Sequence, residues 1–258
     1  MPRDLDLYTQ LGVGAIGLNW RKLNEYGLRR SLKRIRKSPL AVSSVGWISG
    51  FTGQYGHRLK DTLLEARKMI RVAGVLRAPV IPVITGPRAG HIRSHAARLI
   101  GDSLRDLAPL ASIYGVRLAL QPMHPIYRKN WTFLNSVDQT LEILDRVDHP
   151  HVMMSFGMSH LIDQPGVMDR LSDLVPRIAI VGLSDRSGEL SSENDGLIPG
   201  TGDLPIRDAI ATLEQAGYTG WYEIEVWSPD LWKLQPHDLI QGCLLAKDRL
   251  AASLAPLA

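Results

Sequence analysis

The sequence of 258 residues contains a single cysteine and no long apolar run. Cys243 cannot form an internal disulfide, and thiolates cannot supply the ligands of a metal site. The N-terminal stretch MPRDLDLYTQLG carries acidic residues and lacks the apolar segment of a secretion signal. Nowhere do about 18 apolar residues follow one another, as a membrane-spanning helix would need. These absences predict a cytoplasmic protein that does not span a membrane.

Positive charge is concentrated in one part of the chain. The net charge is +4, and eight arginines and lysines lie within residues 21–37. Leu28, Leu32 and Ile35 recur among them at helical spacing. This spacing predicts an amphipathic helix whose basic face is turned to solvent, and we prefer that interpretation to nucleic-acid binding.

Short apolar runs rich in β-branched residues alternate with segments of helical period along the whole chain. Seven runs are strand candidates, and they begin at Val13, Leu40, Pro79, Val116, Val152, Ile178 and Gly220. Helix candidates are the N-terminal segment and residues 21–37, 58–75, 94–114, 136–147, 167–174, 206–216 and a final helix starting at about residue 236. The alternation predicts βα units around a parallel sheet. No Pro/Gly/Ser-rich linker interrupts it, so we predict one domain over residues 1–258.

Two α/β architectures fit this alternation, a (β/α)8 TIM barrel and an open doubly wound sheet. The barrel is favoured because no glycine-rich phosphate loop follows the first strand, and because polar residues gather at the ends of several strands. The chain opens on a helix-like segment, so the first barrel strand is missing or atypical. We expect either a start upstream of Met1, or another segment or subunit that covers the gap beside the strand at Val13.

Residues at the ends of the predicted strands are the candidate site residues. The candidates for catalysis are Glu225, His160, His124 and Asp185, and those for substrate binding are Gln121, Arg186, Trp20, Trp47, Ser155 and Trp227. Glu225 is the most informative because it lies two residues after Glu223 in an apolar strand, which places both on one face. A carboxylate inside a barrel is costly unless it is paired, hydrogen-bonded or functional. An ion pair with a neighbouring arginine or lysine is the structural alternative.

The other candidates also have structural alternatives. Asp185 and Arg186 can grip a polar ligand or cap their loop. A histidine at a strand end can be a base or a satisfied structural residue. The three tryptophans can form an apolar wall for a sugar ring or simply pack.

Four stretches of the sequence resemble the xylose-isomerase-like TIM barrels, a superfamily of sugar and sugar-phosphate isomerases and epimerases that also holds inosose dehydratases and type IV endonucleases. They are GVRLALQPMHP from Gly115, HPHVMMSFGMSHL from His149, RIAIVGLSDRSGE from Arg177 and IPGTGDLPIRDAIATLEQAGYTGWYEIEVWS from Ile198. The likeness extends from about residue 10 to the C-terminus, and its last stretch is the most specific.

The resemblance implies a metal site whose ligands are altered in this chain. Family members hold one divalent metal with a Glu of an LEP motif, an Asp of a DxxH motif, a His at the next strand and a Glu at the last strand. The corresponding positions here are Gln121, Gly157, Gly182 and Glu225, and the DxxH histidine is His160. A hard divalent cation needs charged oxygen or imidazole ligands, so we expect no bound metal and no other cofactor.

The resemblance also implies proton transfer next to the carbonyl of a sugar, cyclitol or related α-hydroxycarbonyl compound, here without metal. Glu225 would act as base and His160 or His124 as acid, while Gln121, Arg186 or backbone N–H groups would hold the enolate oxygen. The rivals are a catalytically silent barrel that binds a polyol or serves as a subunit of a complex, and a lyase that shares the first proton abstraction. The expected partner is a small polar substrate, not nucleic acid or a membrane. Homo-oligomer formation stays open.

Overall fold

The computed structural model describes residues 2–53, 56, 58–188, 191 and 196–254. The chain divides into two compact units, residues 1–155 and residues 156–258. The single domain expected from the sequence stays a prediction. No helix in the described part of the chain is long and apolar enough to cross a membrane.

The first unit consists of parallel strands that alternate with helices. Its elements are α1 (Pro2–Gln10), β1 (Ala15–Asn19), α2 (Trp20–Tyr26), α3 (Leu28–Ile35), β2 (Ala41–Gly46), α4 (Leu59–Leu76), β3 (Val80–Val83), α5 (Arg93–Ile113), β4 (Arg117–Leu120), α6 (Val137–Val147) and β5 (Val152–Gly157), which ends in the second unit. Each strand pairs in parallel with the next one along the chain, from β1 to β5. The carboxyl ends of these strands therefore lie at the same edge of the sheet.

Strands β3 and β4 form the centre of this unit. Val80, Ile81 and Leu118 are fully buried. Helix α5 packs against β4, and it presents a buried apolar stripe that includes Ile100 and Leu104. Burial on both faces explains why these strands are continuous apolar runs without the alternation of a half-exposed sheet.

The second unit follows the same plan with fewer strands. Its elements are α7 (Met158–Leu161), α8 (Leu171–Leu174), β6 (Ile178–Leu183), α9 (Ile206–Gln215), β7 (Trp221–Ile224) and α10 (Pro236–Leu254). Strand β6 is buried along its whole length and pairs in parallel with β7, with Gly182 opposite Glu223. The backbone N–H of Glu225 continues the ladder by donating to the carbonyl of Leu183 over 2.9 Å. Glu225 thus lies directly beyond the carboxyl end of β7.

All seven predicted strands are confirmed among the described residues, and the first element is a helix as expected. The single basic helix predicted over residues 21–37 is wrong. The segment forms two helices, α2 and α3. Gly27 between them has a φ of 92°, and an α-helix cannot continue through a residue with that backbone angle. Helix α7 is also absent from the prediction, since four residues are too few to show a helical period.

Candidate functional site

Two glycines and a carboxylate meet at the strand ends of the second unit. Gly157 is the last residue of β5, Gly182 lies in β6 and Glu225 follows β7. A Cβ atom placed on Gly182 would lie 3.0 Å from Glu225 Oε2 and 3.5 Å from the Cα of Gly157. The Glu225 carboxylate therefore lies where a side chain at position 182 would begin.

The ring of His160 lies beside the same glycines. His160 is a half-buried residue of α7, and a Cβ atom placed on Gly157 would lie 3.1 Å from its Cδ2 atom. The imidazole thus takes up space that a side chain at position 157 would need. The two glycines at the implied metal-ligand positions therefore lie beside Glu225 and His160, two of the three residues proposed from the sequence for acid–base chemistry.

The pKa of the Glu225 carboxyl group is raised toward neutral pH. Desolvation by the surrounding protein is the main cause that raises its pKa to about 7, and the negative charge of Glu223 contributes to the same shift. The residue as a whole is nevertheless exposed to solvent, while many protein atoms surround its carboxylate. Within the described residues, no arginine or lysine forms an ion pair with Glu225. The ion-pair explanation of this carboxylate therefore has no support.

Asp185 is a fully buried carboxylate that holds a loop. Its Oδ1 atom accepts hydrogen bonds from the backbone N–H groups of Arg186 (2.8 Å) and Leu204 (3.2 Å). Its Oδ2 atom accepts from the N–H groups of Gly200 and Gly202, both at 2.9 Å. Four backbone donors offset the cost of burying the charge. These contacts support the loop-capping role of Asp185, and a catalytic role stays a prediction.

Arg186 is engaged by protein acceptors around its guanidinium group. Nε donates to the carbonyl of Ser159 over 3.3 Å and Nη1 donates to the carbonyl of Gly188 over 2.6 Å. Nη2 forms a salt bridge with the carboxylate of Asp163. The buried side chain therefore ties the segment after β6 to α7 and the residues that follow it, and only its remaining N–H groups are available to a substrate.

Three further candidates belong to the first unit. Gln121 is buried directly after β4, and Ser155 is buried within β5. His124 begins a 3₁₀ turn, where its Nδ1 accepts from the backbone N–H of Ile126 at 3.4 Å. Each residue lies at or near a strand end as expected, and their proposed roles stay predictions.

The tryptophans differ in their surroundings. Trp20 is buried at the start of α2, and its Nε1 donates to a glutamate carboxylate of α4 over 2.6 Å, as a packing residue would. Trp47 meets Trp131 edge to face, with ring centroids 5.6 Å apart. Trp227 is exposed and meets Trp232 in the same way at 5.1 Å. Of the three candidates, Trp47 and Trp227 therefore leave aromatic surface beside a strand end.

The residues at the positions implied to bind metal do not fit a divalent cation. Gly157 and Gly182 provide no side-chain donor atom, and the space beside them holds the His160 ring and the Glu225 carboxylate. Gln121 provides a neutral amide. In the described ranges, no three His, Cys, Asp or Glu side chains gather in a group that could hold a metal ion.

The chain belongs to the xylose isomerase-like TIM barrel family, which it matches over residues 5–247. Its fold is the α/β barrel of that family. The chain is similar to an inosose isomerase from Halalkalibacterium halodurans, with 24% identity over 215 residues, which are 79% of this chain and 71% of the relative.

Solved structures share the fold at lower identity. A structure of the IolI protein with a bound zinc atom has a TM-score of 0.84 at 17% identity, covering 100% of this chain and 95% of that one. A 3-keto-D-glucoside 4-epimerase from E. coli has a TM-score of 0.75 at 17% identity, covering 97% and 94% of the two chains.

The sequence reasoning missed a group of basic residues in the first unit. Arg88, Arg128 and Lys129 lie in the segments that follow β3 and β4 and line one cavity there. Arg88 lies about 40 residues before Arg128 and Lys129 in the chain, so the three residues form no sequence motif. The available signal was that adjacent parallel strands bring the segments after them together.

Proposed function

We propose that the protein is a sugar or cyclitol isomerase or epimerase that moves a proton next to a carbonyl group without a metal ion. The inosose isomerase and epimerase among its relatives and neighbours support this class of reaction and a small polar substrate. The observation that carries the proposal is the Glu225 carboxylate, which belongs to an exposed residue, has no basic partner among the described residues and has a pKa raised to about 7.

A carboxylate of this kind can both take and return a proton near neutral pH. Glu225 takes a proton from the carbon next to the carbonyl, and the electron pair of that C–H bond becomes part of an enolate. His160 lies against the same glycine pair and is the acid that donates to the enolate oxygen. Glu225 then returns its proton to the former carbonyl carbon while the hydroxyl group of the original carbon gives its proton to His160, and the new carbonyl group that forms there makes the product an isomer. Alternatively, a second acid protonates the original carbon from its opposite face while the enol proton returns to His160, and the product is an epimer.

Proton exchange at carbon tests this role directly. An inosose is incubated with the protein in D2O, and deuterium entering the carbon next to the carbonyl is followed by NMR. Removing a general base typically lowers the rate by about 10² to 10⁴-fold. We expect a loss of that size in the Glu225→Gln variant, with an unchanged circular dichroism spectrum.

Glu223→Gln is the matched control, since it removes a carboxylate from the same strand. This variant should still exchange, and the midpoint of its pH–rate profile should fall because the charge that raises the pKa of Glu225 is gone. Wild-type exchange rates in Glu225→Gln would overturn the assignment of the base. Binding of the inosose without any exchange by the wild-type protein would favour the silent barrel, and loss of water from the product would favour the lyase.

Metal independence has its own measurement. Because two of the implied ligand positions are glycines, dialysis against EDTA should change neither the exchange rate nor the unfolding temperature. Elemental analysis of the dialysed protein should find Mn, Mg, Co and Zn far below one equivalent. An activity that EDTA removes and a divalent ion restores would return the protein to metal-assisted chemistry.

A further inference from the structure

A cavity of about 610 Å³ in the first unit is lined by basic side chains. Its charged residues are Arg88, Arg93, Arg128 and Lys129, and no aspartate or glutamate contributes to the lining. Asn135 adds an amide group. The volume is in the range of small-molecule sites, and the lining carries charge of one sign only.

The walls of this cavity come from two segments that are tied together. Thr85 and Thr132 are fully buried and share a hydrogen bond of 2.8 Å between their hydroxyl groups. Gly86 and Thr132 form a parallel bridge, and the backbone N–H of Phe133 donates to the carbonyl of Gly86 over 3.0 Å. The segment after β3 is thereby fixed against the segment after β4, so the cations that they carry are held around one space.

Most of these cations have no counter-charge in the protein. Arg88, Arg128 and Lys129 form no side-chain ion pair or hydrogen bond with any residue that the structure describes. Arg93 alone is paired, with Glu142 at 2.8 Å. Like charges that surround one cavity repel each other, and a bound anion would remove that repulsion.

The start of helix α5 adds a weaker contribution of the same sign. Arg93 is the first residue of this 21-residue helix, and Ile92 at the N-cap provides no side-chain acceptor for the first N–H groups. Helix N-termini carry partial positive charge and favour anions. An anionic ligand therefore fits this cavity best. Basic side chains line it, no carboxylate does, and the helix start beside it has no side-chain cap.

We propose that this cavity binds the phosphate group of a phosphorylated small molecule. Arginine guanidinium groups match phosphate oxygens with paired N–H donors, and a doubly charged phosphate uses several cations where a single carboxylate needs fewer. This proposal does not rest on the proposed reaction at Glu225, because binding can be measured without turnover.

Isothermal titration calorimetry tests the site with two probes, inorganic phosphate and D-glucose 6-phosphate, and with D-glucose as the neutral comparison. The test variant is Arg88→Ala/Arg128→Ala. The matched control is Arg29→Ala/Arg30→Ala, which removes two exposed arginines of α3 and so changes the net charge equally. We expect the test variant to bind both phosphate probes at least about tenfold more weakly and the control to stay within about twofold, since each lost charged hydrogen bond has a cost of that order.

Equal weakening in both variants would show attraction by general charge and would overturn the site, as would no binding of either phosphate probe to the wild-type protein. Arg88→Lys/Arg128→Lys keeps the charge and loses the paired donors, so it should bind with intermediate affinity even if the alanine variant folds poorly. Tighter binding of the sugar phosphate than of inorganic phosphate would identify an organic phosphate as the ligand. Equal affinities would identify a site for the free anion.

Discussion

Glu225 and Asp185 both follow strands of the second unit, yet their contacts give them different properties. Asp185 is buried and accepts four backbone hydrogen bonds, which compensate its charge and fix a loop. Glu225 has no such donors among the described residues, and desolvation raises its pKa to about 7. The first environment suits a structural residue, and the second suits a residue that exchanges protons.

The loop held by Asp185 is sensitive to a single methyl group at position 202. A Cβ atom on Gly202 would lie 2.3 Å from the carbonyl oxygen of Arg186 and 2.5 Å from Asp185 Oδ1. Gly202→Ala must therefore displace backbone and disturb the hydrogen bonds of the carboxylate. We expect a loss of about 1–3 kcal/mol in the free energy of unfolding, measured by urea denaturation.

Gly14→Ala is the control for this substitution, because a Cβ at Gly14 would have no neighbour within 4 Å. The control should change the free energy of unfolding by about 0.5 kcal/mol or less. Equal effects of the two substitutions would mean that the crowding around Gly202 does not determine the stability of the loop.

The placement of Glu225 could be foreseen at the residue scale, whereas the contacts of Asp185 could not. Period 2 in an apolar strand places Glu223 and Glu225 on one face, and this pattern is local. The donors to Asp185 lie up to 19 residues further along the chain, in a loop without a regular period. Sequence alone left two interpretations of Asp185 open, and the contacts support the loop-capping one.

At the scale of elements, the strands are easier to predict than the helices around residues 20–35. Strands such as β3 and β6 are short apolar runs because both of their faces are buried, and that composition is visible without any contact. The basic segment keeps a helical period on both sides of Gly27, so the break there depends on one positive φ angle that periodicity does not show.

The basic cavity is lined by residues that the pairing of two strands brings together. Residues 80–83 of β3 pair in register with residues 117–120 of β4, so the segments after the two strands begin side by side. Arg88 and Arg128 become neighbours of one cavity only through that pairing. A residue-by-residue reading assigns each arginine to an ordinary exposed loop, and the topology is needed to see the group.

At the scale of the whole molecule, the alternation of strands and helices and four short stretches were sufficient to identify the family and its barrel. The same stretches show where this chain differs from the ligand pattern that the resemblance implies, since Gly157 and Gly182 are read directly from the sequence. They do not show what fills the space beside these glycines. That His160 and Glu225 lie there is a property of packing, which only the structure shows.

The raised pKa of Glu225 makes the stability of the whole molecule depend on pH. Desolvation of the carboxyl group and the charge of Glu223 raise this pKa from 4.5 to about 7, so between these values the folded chain holds a proton that the unfolded chain releases. The free energy of unfolding contributed by this group is therefore fully present below about pH 4.5 and is lost as the pH rises through 7.

Glu225→Gln removes this titration, so its difference from the wild-type protein isolates the group from all other carboxylates. Urea denaturation at pH 4, 6 and 8 should show the variant gaining stability relative to the wild type as the pH rises, with most of the gain between pH 4.5 and 7. Glu223→Gln should show a smaller gain, because it lowers the pKa of Glu225 without removing the carboxylate. Solvent access to Glu225 reduces the size of the effect but not its sign. Parallel curves for Glu225→Gln and the wild type would mean that the carboxylate titrates normally, and the proposed base would then lose the property that suits it to proton transfer near neutral pH.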